Sequence, residues 1–214
     1  RWLRIFSILF RLAIEQDLIQ TDPSRDVRRL KEKAEGARAW TEVEVAQFQT
    51  HWPLGSRART AFALLLYTGQ RRSDVVKIGP ACIKEGMIAV TQQKTGTSLM
   101  VPILQDLAFV LAATSDVKAY YLEVTPGRKP SSDSLGNLMK DWTLAAGLPS
   151  DLSAHGLRKT AARRLAEAGC TTHQIAAITG HKTLSEVERY TRSVDQRRLA
   201  KQAMALLEAV KPNA

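Results

Sequence analysis

Apolar positions recur every three or four residues along most of the chain, and every second residue along one short middle stretch. Trp2, Ile5, Phe6, Leu9, Phe10 and Ala13 fall on one side of a helix predicted to run to about Leu18, whose apolar face needs a partner. Residues 21–38 break that rhythm with Pro23 and a mixture of acids with Arg25, Arg28, Arg29, Lys31 and Lys33, as a connector does. Thr41-Glu-Val-Glu44 has the capping-box pattern and predicts a helix to about Gln49. A second helix is predicted from Ser56 to Thr68, stopped by Gly69. The segments Ala81–Lys84, Met87–Gln92 and Leu99–Ile103 favour strands and are separated by Glu85-Gly86 and Thr95-Gly96, which predicts a small three-stranded antiparallel sheet. Helical spacing then returns over about 104–113, 133–146, 156–169, 172–179, 184–192 and 195–210. The fold class is mainly α, of the α+β kind, with no internal repeat and no low-complexity stretch.

The 214 residues leave room for one well-cored domain and a short piece of another. At 44% apolar and 24% charged residues, the chain has globular composition. Thirty-one Lys and Arg against 21 Asp and Glu give a net charge of +10 and a pI near 9.9. A polyanion is therefore the expected partner, and nucleic acid comes first, because cations that neutralise phosphates release condensed counterions. Cys82 and Cys170 cannot build a disulfide framework, and the absence of a Cys-x-x-Cys pair argues against zinc, so a reducing compartment fits. The apolar run from Ile5 to Leu12 is interrupted by Ser7 and Arg11 and falls far short of a membrane span. It also lacks a signal-peptide cleavage pattern. A chain that opens on Arg1 inside a helical pattern reads as a fragment or a processed product.

Four local patterns carry possible chemistry, each with a plainer reading beside it. In Thr68-Gly-Gln-Arg-Arg-Ser-Asp74, Arg71 follows a glycine-ended helix and is either a solvated cap on its carbonyls or a phosphate ligand. Lys94 sits in Gln92-Gln-Lys-Thr-Gly96, at the tip between two strands, where a lysine is commonly a solvated edge charge. His155-Gly-Leu-Arg158 puts an imidazole and a guanidinium on one face at a helix start. Cations there oppose the helix dipole, and a bound phosphate is one reason to place them so. Gly180-His181 closes a helix, and Tyr190 follows nine residues later on a helix begun by Thr183-x-x-Glu186. Taken alone, Tyr190 is as well explained as a half-buried neighbour of Leu184 and Val187.

Taken together, Thr68-Gly-Gln-Arg71, Lys94, His155-Gly-Leu-Arg-Lys-Thr160, Ile178-Thr-Gly-His181 and Arg189-Tyr-Thr191 resemble the tyrosine recombinase (phage integrase-type) family over essentially the whole chain. Gln70 departs from the family pattern, where Leu is frequent. The resemblance implies a helical catalytic domain with a small antiparallel sheet over 39–194. It further implies the last helix of a core-binding domain plus linker over 1–38, and a tail helix over 195–214. It implies that Tyr190 attacks a DNA phosphorus to form a 3′-phosphotyrosyl link. Arg71, Arg158 and His181 would hold the phosphate oxygens, Lys94 would protonate the leaving 5′-oxygen, and His155 would assist proton movement at the tyrosine. Asp74 would brace the active-site histidine, and Lys159 and Lys182 would meet DNA.

Such covalent chemistry calls for neither metal nor nucleotide, and no Walker motif or Mg²⁺-suited carboxylate cluster occurs in the sequence. The implied partners are double-stranded DNA and further protomers, four in a synapse and one when isolated, with no membrane. The implied setting is the bacterial cytoplasm, on DNA, as the integrase of a mobile element. A type IB topoisomerase-like relaxing enzyme and a non-catalytic DNA-binding module are the competing readings. The Gly-His pair disfavours the first, and the completeness of the residue set disfavours the second.

Overall fold

A computed structural model of the chain describes residues 2–27, 36–183, 185–188, 196, 200, 201 and 203–208. They fall into two compact units, Arg1–Gly36 and Ala37–Ala214. The first is built on helix α1, Trp2–Glu15, none of whose residues is buried. Phe6 and Phe10 stack with ring centres 6.2 Å apart, and the Ser7 hydroxyl donates to Asp22 at 3.2 Å. The helix ends three residues before the expected Leu18, because Asp17 turns to a left-handed φ of 57°.

The second unit is wrapped around helix α3, Arg57–Thr68, most of whose residues are buried. Ser56 caps its start through the Arg59 amide, and Gly69, at φ 62°, ends it. Helix α2, Glu42–His51, opens with the predicted capping box, Thr41 and Glu44 each satisfying the other's amide. Trp40 anchors this region. It is fully buried, packs edge-on against Phe48 and Phe62, and donates from Nε1 to the Ser153 carbonyl at 3.0 Å.

After the short helix α4, Arg72–Val75, comes a three-stranded antiparallel sheet in the order β1 (Ile83–Lys84), β2 (Met87–Thr91), β3 (Ser98–Pro102). The register pairs Ile88 with Val101 and Val90 with Leu99. Ile88, Val90 and Val101 thereby face the core, while Thr91 and Ser98 face outward. The first strand is shorter than expected. Pro80 starts a 3₁₀ turn over Pro80–Cys82, closed by the Cys82 amide on the Gly79 carbonyl, and only two residues remain to pair.

Helices α5 (Gln105–Ala112), α6 (Ser132–Ala145), α7 (Ala154–Glu167) and α8 (Thr172–Thr179) complete the described domain, and α7 lies along α3. The loop between α5 and α6 is organised by Glu123, whose carboxylate accepts the amides of Ala119, Tyr120 and Gly127. Helix α8 has a capping box of its own, Thr171 with Gln174. Beyond it, residues 185–188 are helical, and Val187 is buried against Ala162, Ala166 and Ile175. The expectations for Tyr190, its neighbours Arg189 and Thr191, and much of the tail over 195–214 lie outside the described residues. Among the described residues, no helix is long and apolar enough to cross a membrane.

Candidate active site

Four of the residues singled out by sequence come from separate elements and line one cleft of about 590 Å³: Arg71, Lys94, His155 and Arg158. Arg71 is the N-cap residue of α4, its backbone extended (φ −73°, ψ 153°) so that its carbonyl accepts the Asp74 and Val75 amides. Its side chain does not cap the preceding helix. Nη1 donates instead to Gln92 Oε1 at 2.9 Å.

Lys94 is exposed at the β2–β3 turn, but the turn is tied down on both sides. The Gln92 amide donates to the Thr97 carbonyl and the Gly96 amide to the Gln92 carbonyl. Asp74, almost fully buried, accepts the Gln93 amide at 2.8 Å and the Ser73 hydroxyl at 3.2 Å. This differs from the expected bracing of a histidine. Among the described residues no histidine bonds to Asp74, because α4 delivers its carboxylate under the lysine turn, where an unpaired backbone amide needs an acceptor.

Helix α7 starts at Ser153, which caps the Gly156 amide, and brings His155 and Arg158 to the cleft. Gly156 is there for packing, since a Cβ would stand 3.0 Å from Trp40 Cδ1. Arg158 is only 2% exposed, and its Nη1 donates to the carbonyls of Gly69 and Thr179, both at 2.7 Å. It thus satisfies the ends of α3 and α8, whose last carbonyls have no partner within their own helices. His155 keeps an exposed edge. The packing around its ring, followed by the charges of Arg158, Lys159, Arg71 and Lys94, pushes it below its ordinary value, which favours the neutral imidazole.

His181 is not part of the cleft lining but belongs to the same electrostatic group. Burial first, then the charges of Arg158, Arg71 and His155, push it down to about 4. Its Nδ1 lies 2.7 Å from the Thr179 hydroxyl, which also reaches the Ile175 carbonyl at 2.7 Å. That hydroxyl has one proton. When the proton goes to Ile175, Nδ1 is the donor in the histidine pair; when it goes to Nδ1, Nε2 carries the ring proton. Lys182 is exposed and Lys159 half-buried.

Gln92, two residues before Lys94, is a site residue that the motif around the lysine does not single out. The signal was present in the alternation of β2: Ile88, Val90 and Gln92 form one inward-facing row. A buried amide at the end of an apolar row has to be hydrogen-bonded. Arg72, also on the cleft wall, pairs with Asp133 at 2.8 Å.

Arg71, Arg158, Lys94 and His155 on one cleft, with His181 in their field, are a set that suits a phosphate diester, since such groups can stabilise its charge and move protons. Residues 18–197 match the phage integrase family. The chain belongs to that family, the tyrosine site-specific recombinases. It is 24% identical over 210 residues to tyrosine recombinase XerD of Ralstonia nicotianae, covering 90% of this chain and 68% of that protein. It is 25% identical over 208 residues to XerD of Lacticaseibacillus casei, covering 89% and 70%. Its fold matches that of lambda integrase residues 75–356, solved as a dimer bound to a COC′ core site, with a TM-score of 0.72 and 24% identity over 88% of this chain and 71% of that one. The Tn1549 transposon integrase bound to a circular-intermediate DNA gives a TM-score of 0.70 at 16% identity, over 92% and 77%.

Proposed function

We propose that this recombinase breaks and rejoins DNA through a 3′-phosphotyrosyl intermediate on Tyr190. The convergence of Arg71, Lys94, His155 and Arg158 on one cleft, with His181 in their field, carries this reading. Val187, buried three residues before Tyr190, anchors the segment that leads to the nucleophile. The Tyr190 oxygen attacks phosphorus and the bond to the 5′-oxygen breaks. His155 accepts the tyrosine proton, and Lys94 delivers one to the departing oxygen. Arg71, Arg158 and His181 hold the non-bridging oxygens as charge builds on them. Guanidinium suits this role because its planar donor fork stays charged. The new ester keeps the energy of the old one, so a 5′-hydroxyl from another strand can reseal it without a cofactor.

Under the same reading, Lys159 and Lys182 contact backbone phosphates at the edge of the site. Residues 1–38 form the end of a core-binding domain and its linker, 39–194 the catalytic domain, and 195–214 a tail. DNA-bound dimers and a tetramer on a Holliday junction, seen for lambda integrase, support double-stranded DNA and further copies of the chain as partners. The exposed Met204, Leu206 and Leu207 give the tail an apolar surface for a neighbouring copy. The setting is the bacterial cytoplasm, on DNA, as the enzyme of a mobile element.

A duplex nicked close to the cleavage point tests the reaction, because the short released strand diffuses away and traps the covalent state. The expected result is a protein–DNA adduct with a free 5′-hydroxyl on the released strand. DNA binding with no adduct would reduce the protein to a non-catalytic module, and supercoil relaxation with no exchange between two sites would make it a relaxing enzyme.

A further inference from the structure

Beside Arg71 and the Lys94 turn lies a pair of glutamines, Gln70 and Gln92, both fully buried. Gln70 Nε2 donates to the carbonyls of Thr68 at 3.0 Å and Ile178 at 2.8 Å. Gln92 Nε2 donates to Gln70 Oε1 at 2.7 Å and to the Thr179 carbonyl at 2.8 Å. Gln92 Oε1 accepts from Arg71 Nη1 and from the Thr95 hydroxyl, each at 2.9 Å. Carbonyl oxygens only accept and a guanidinium only donates, so these partners fix which end of each amide is nitrogen and which is oxygen. Gly180, at φ 69°, completes the fit: a Cβ there would stand 2.7 Å from Gln92 Cδ. The glycine before His181 is the surface against which the Gln92 amide lies.

We propose that Gln70 and Gln92 are positioning residues that hold Arg71, the Lys94 turn and the Gly180-His181 corner in a single register; this rests on the reading of the cleft as the DNA-cleaving site. The pair reaches Arg71, the lysine turn and the end of α8. Gln92 aims the Arg71 guanidinium by holding one of its nitrogens, which leaves the others for a phosphate. Through Thr95 the same oxygen fixes the residue next to Lys94. The two amide nitrogens cap the last carbonyls of α8, directly before His181, and Arg158 shares the Thr179 carbonyl with Gln92. A shift of Gln92 therefore moves clamp and proton donor together. Misplacement by about 1 Å costs on the order of 10²-fold in rate in an oriented site.

The test uses the duplex that the wild-type protein captures covalently from a randomised nicked library, made with the ordinary 5′-oxygen and with a 5′-bridging sulfur. The thiolate leaves without needing a proton. Gln92→Met keeps the length and removes the hydrogen bonds. It is expected to slow single-turnover cleavage of the ordinary duplex by roughly 10- to 10²-fold, with DNA affinity within about threefold of wild type. On the sulfur duplex, the part of that loss due to the lysine turn is expected to disappear, as the whole loss does for Lys94→Ala, and the part due to Arg71 to remain, as for Arg158→Ala.

The Gln70→Met,Gln92→Met double variant is expected to be no more than about twofold slower than the slower single variant, because the pair acts as one unit. If Gln92→Met fails to fold, Thr95→Val cuts only the link to the lysine turn, and the same oxygen-to-sulfur comparison applies. Cleavage at the wild-type rate, an equal defect on both duplexes, or additive single losses would each overturn the proposal. No capture by the wild-type protein would overturn the DNA-cleaving reading itself, and that result comes before any variant is made.

Discussion

The floor and the rim of the cleft use related residue types under opposite conditions. On the floor, Arg158, Asp74, Gln70 and Gln92 are all at most 2% exposed and are bonded to backbone carbonyls, amides or one another. On the rim, Lys94 and His155 are exposed. A buried polar group left without a partner costs about 1–3 kcal/mol, so each floor residue is committed to one geometry. The rim lysine remains hydrated, and what it gains from an incoming phosphate falls with added salt. The floor therefore positions and the rim meets the ligand, and substitutions should separate the two by which observable they move.

The largest expected effect falls on the floor. Arg158→Ala should slow cleavage by roughly 10²–10³, as for the loss of one charge stabiliser. It should also lower thermal stability, because the Gly69 carbonyl loses its side-chain partner. Single-turnover cleavage and a melting curve check both halves, and an unchanged melting point would erase the distinction from the rim. Next comes Lys94→Ala, with a loss of about 10² for a missing general acid and an unchanged melting point, read in the same two assays.

The pH dependence is smaller, and its sign follows from His181. The unfolded chain takes up this proton near pH 6.5, whereas the folded chain holds it off until about 4. The stability associated with the neutral ring is complete above pH 6.5 and is lost as the pH falls toward 4. His155 is shifted in the same direction. A bound phosphate raises both, so DNA binding should take up protons, seen as tighter binding when the pH drops from 7.5 to 6. The smallest effect belongs to Lys159→Ala and Lys182→Ala, each expected to flatten the salt dependence of DNA affinity by about one unit of slope with no preference among sequences.

Periodicity was enough for the helices over 42–68 and 105–179 and for the three-stranded sheet, because those elements follow from neighbours within a few residues. The capping box at Thr41 was legible for the same reason. What the sequence concealed is long-range. Arg158 reaches Gly69 across 89 residues, and Gln92 reaches Thr179 across 87. No spacing rule links such positions, and His155-Gly-Leu-Arg158 by itself says nothing of the carbonyls its arginine satisfies. Asp74 shows the same limit: its place in the helical turn after Arg71 could be read, but its bond to the Gln93 amide required the hairpin to be placed.

The most direct test of the central claim is to digest the covalent protein–DNA adduct and locate the nucleotide-bearing residue by mass spectrometry. The account predicts a phosphodiester link on Tyr190 and no adduct from Tyr190→Phe, with DNA binding retained. An adduct on any other residue, or an undiminished one from Tyr190→Phe, would contradict it.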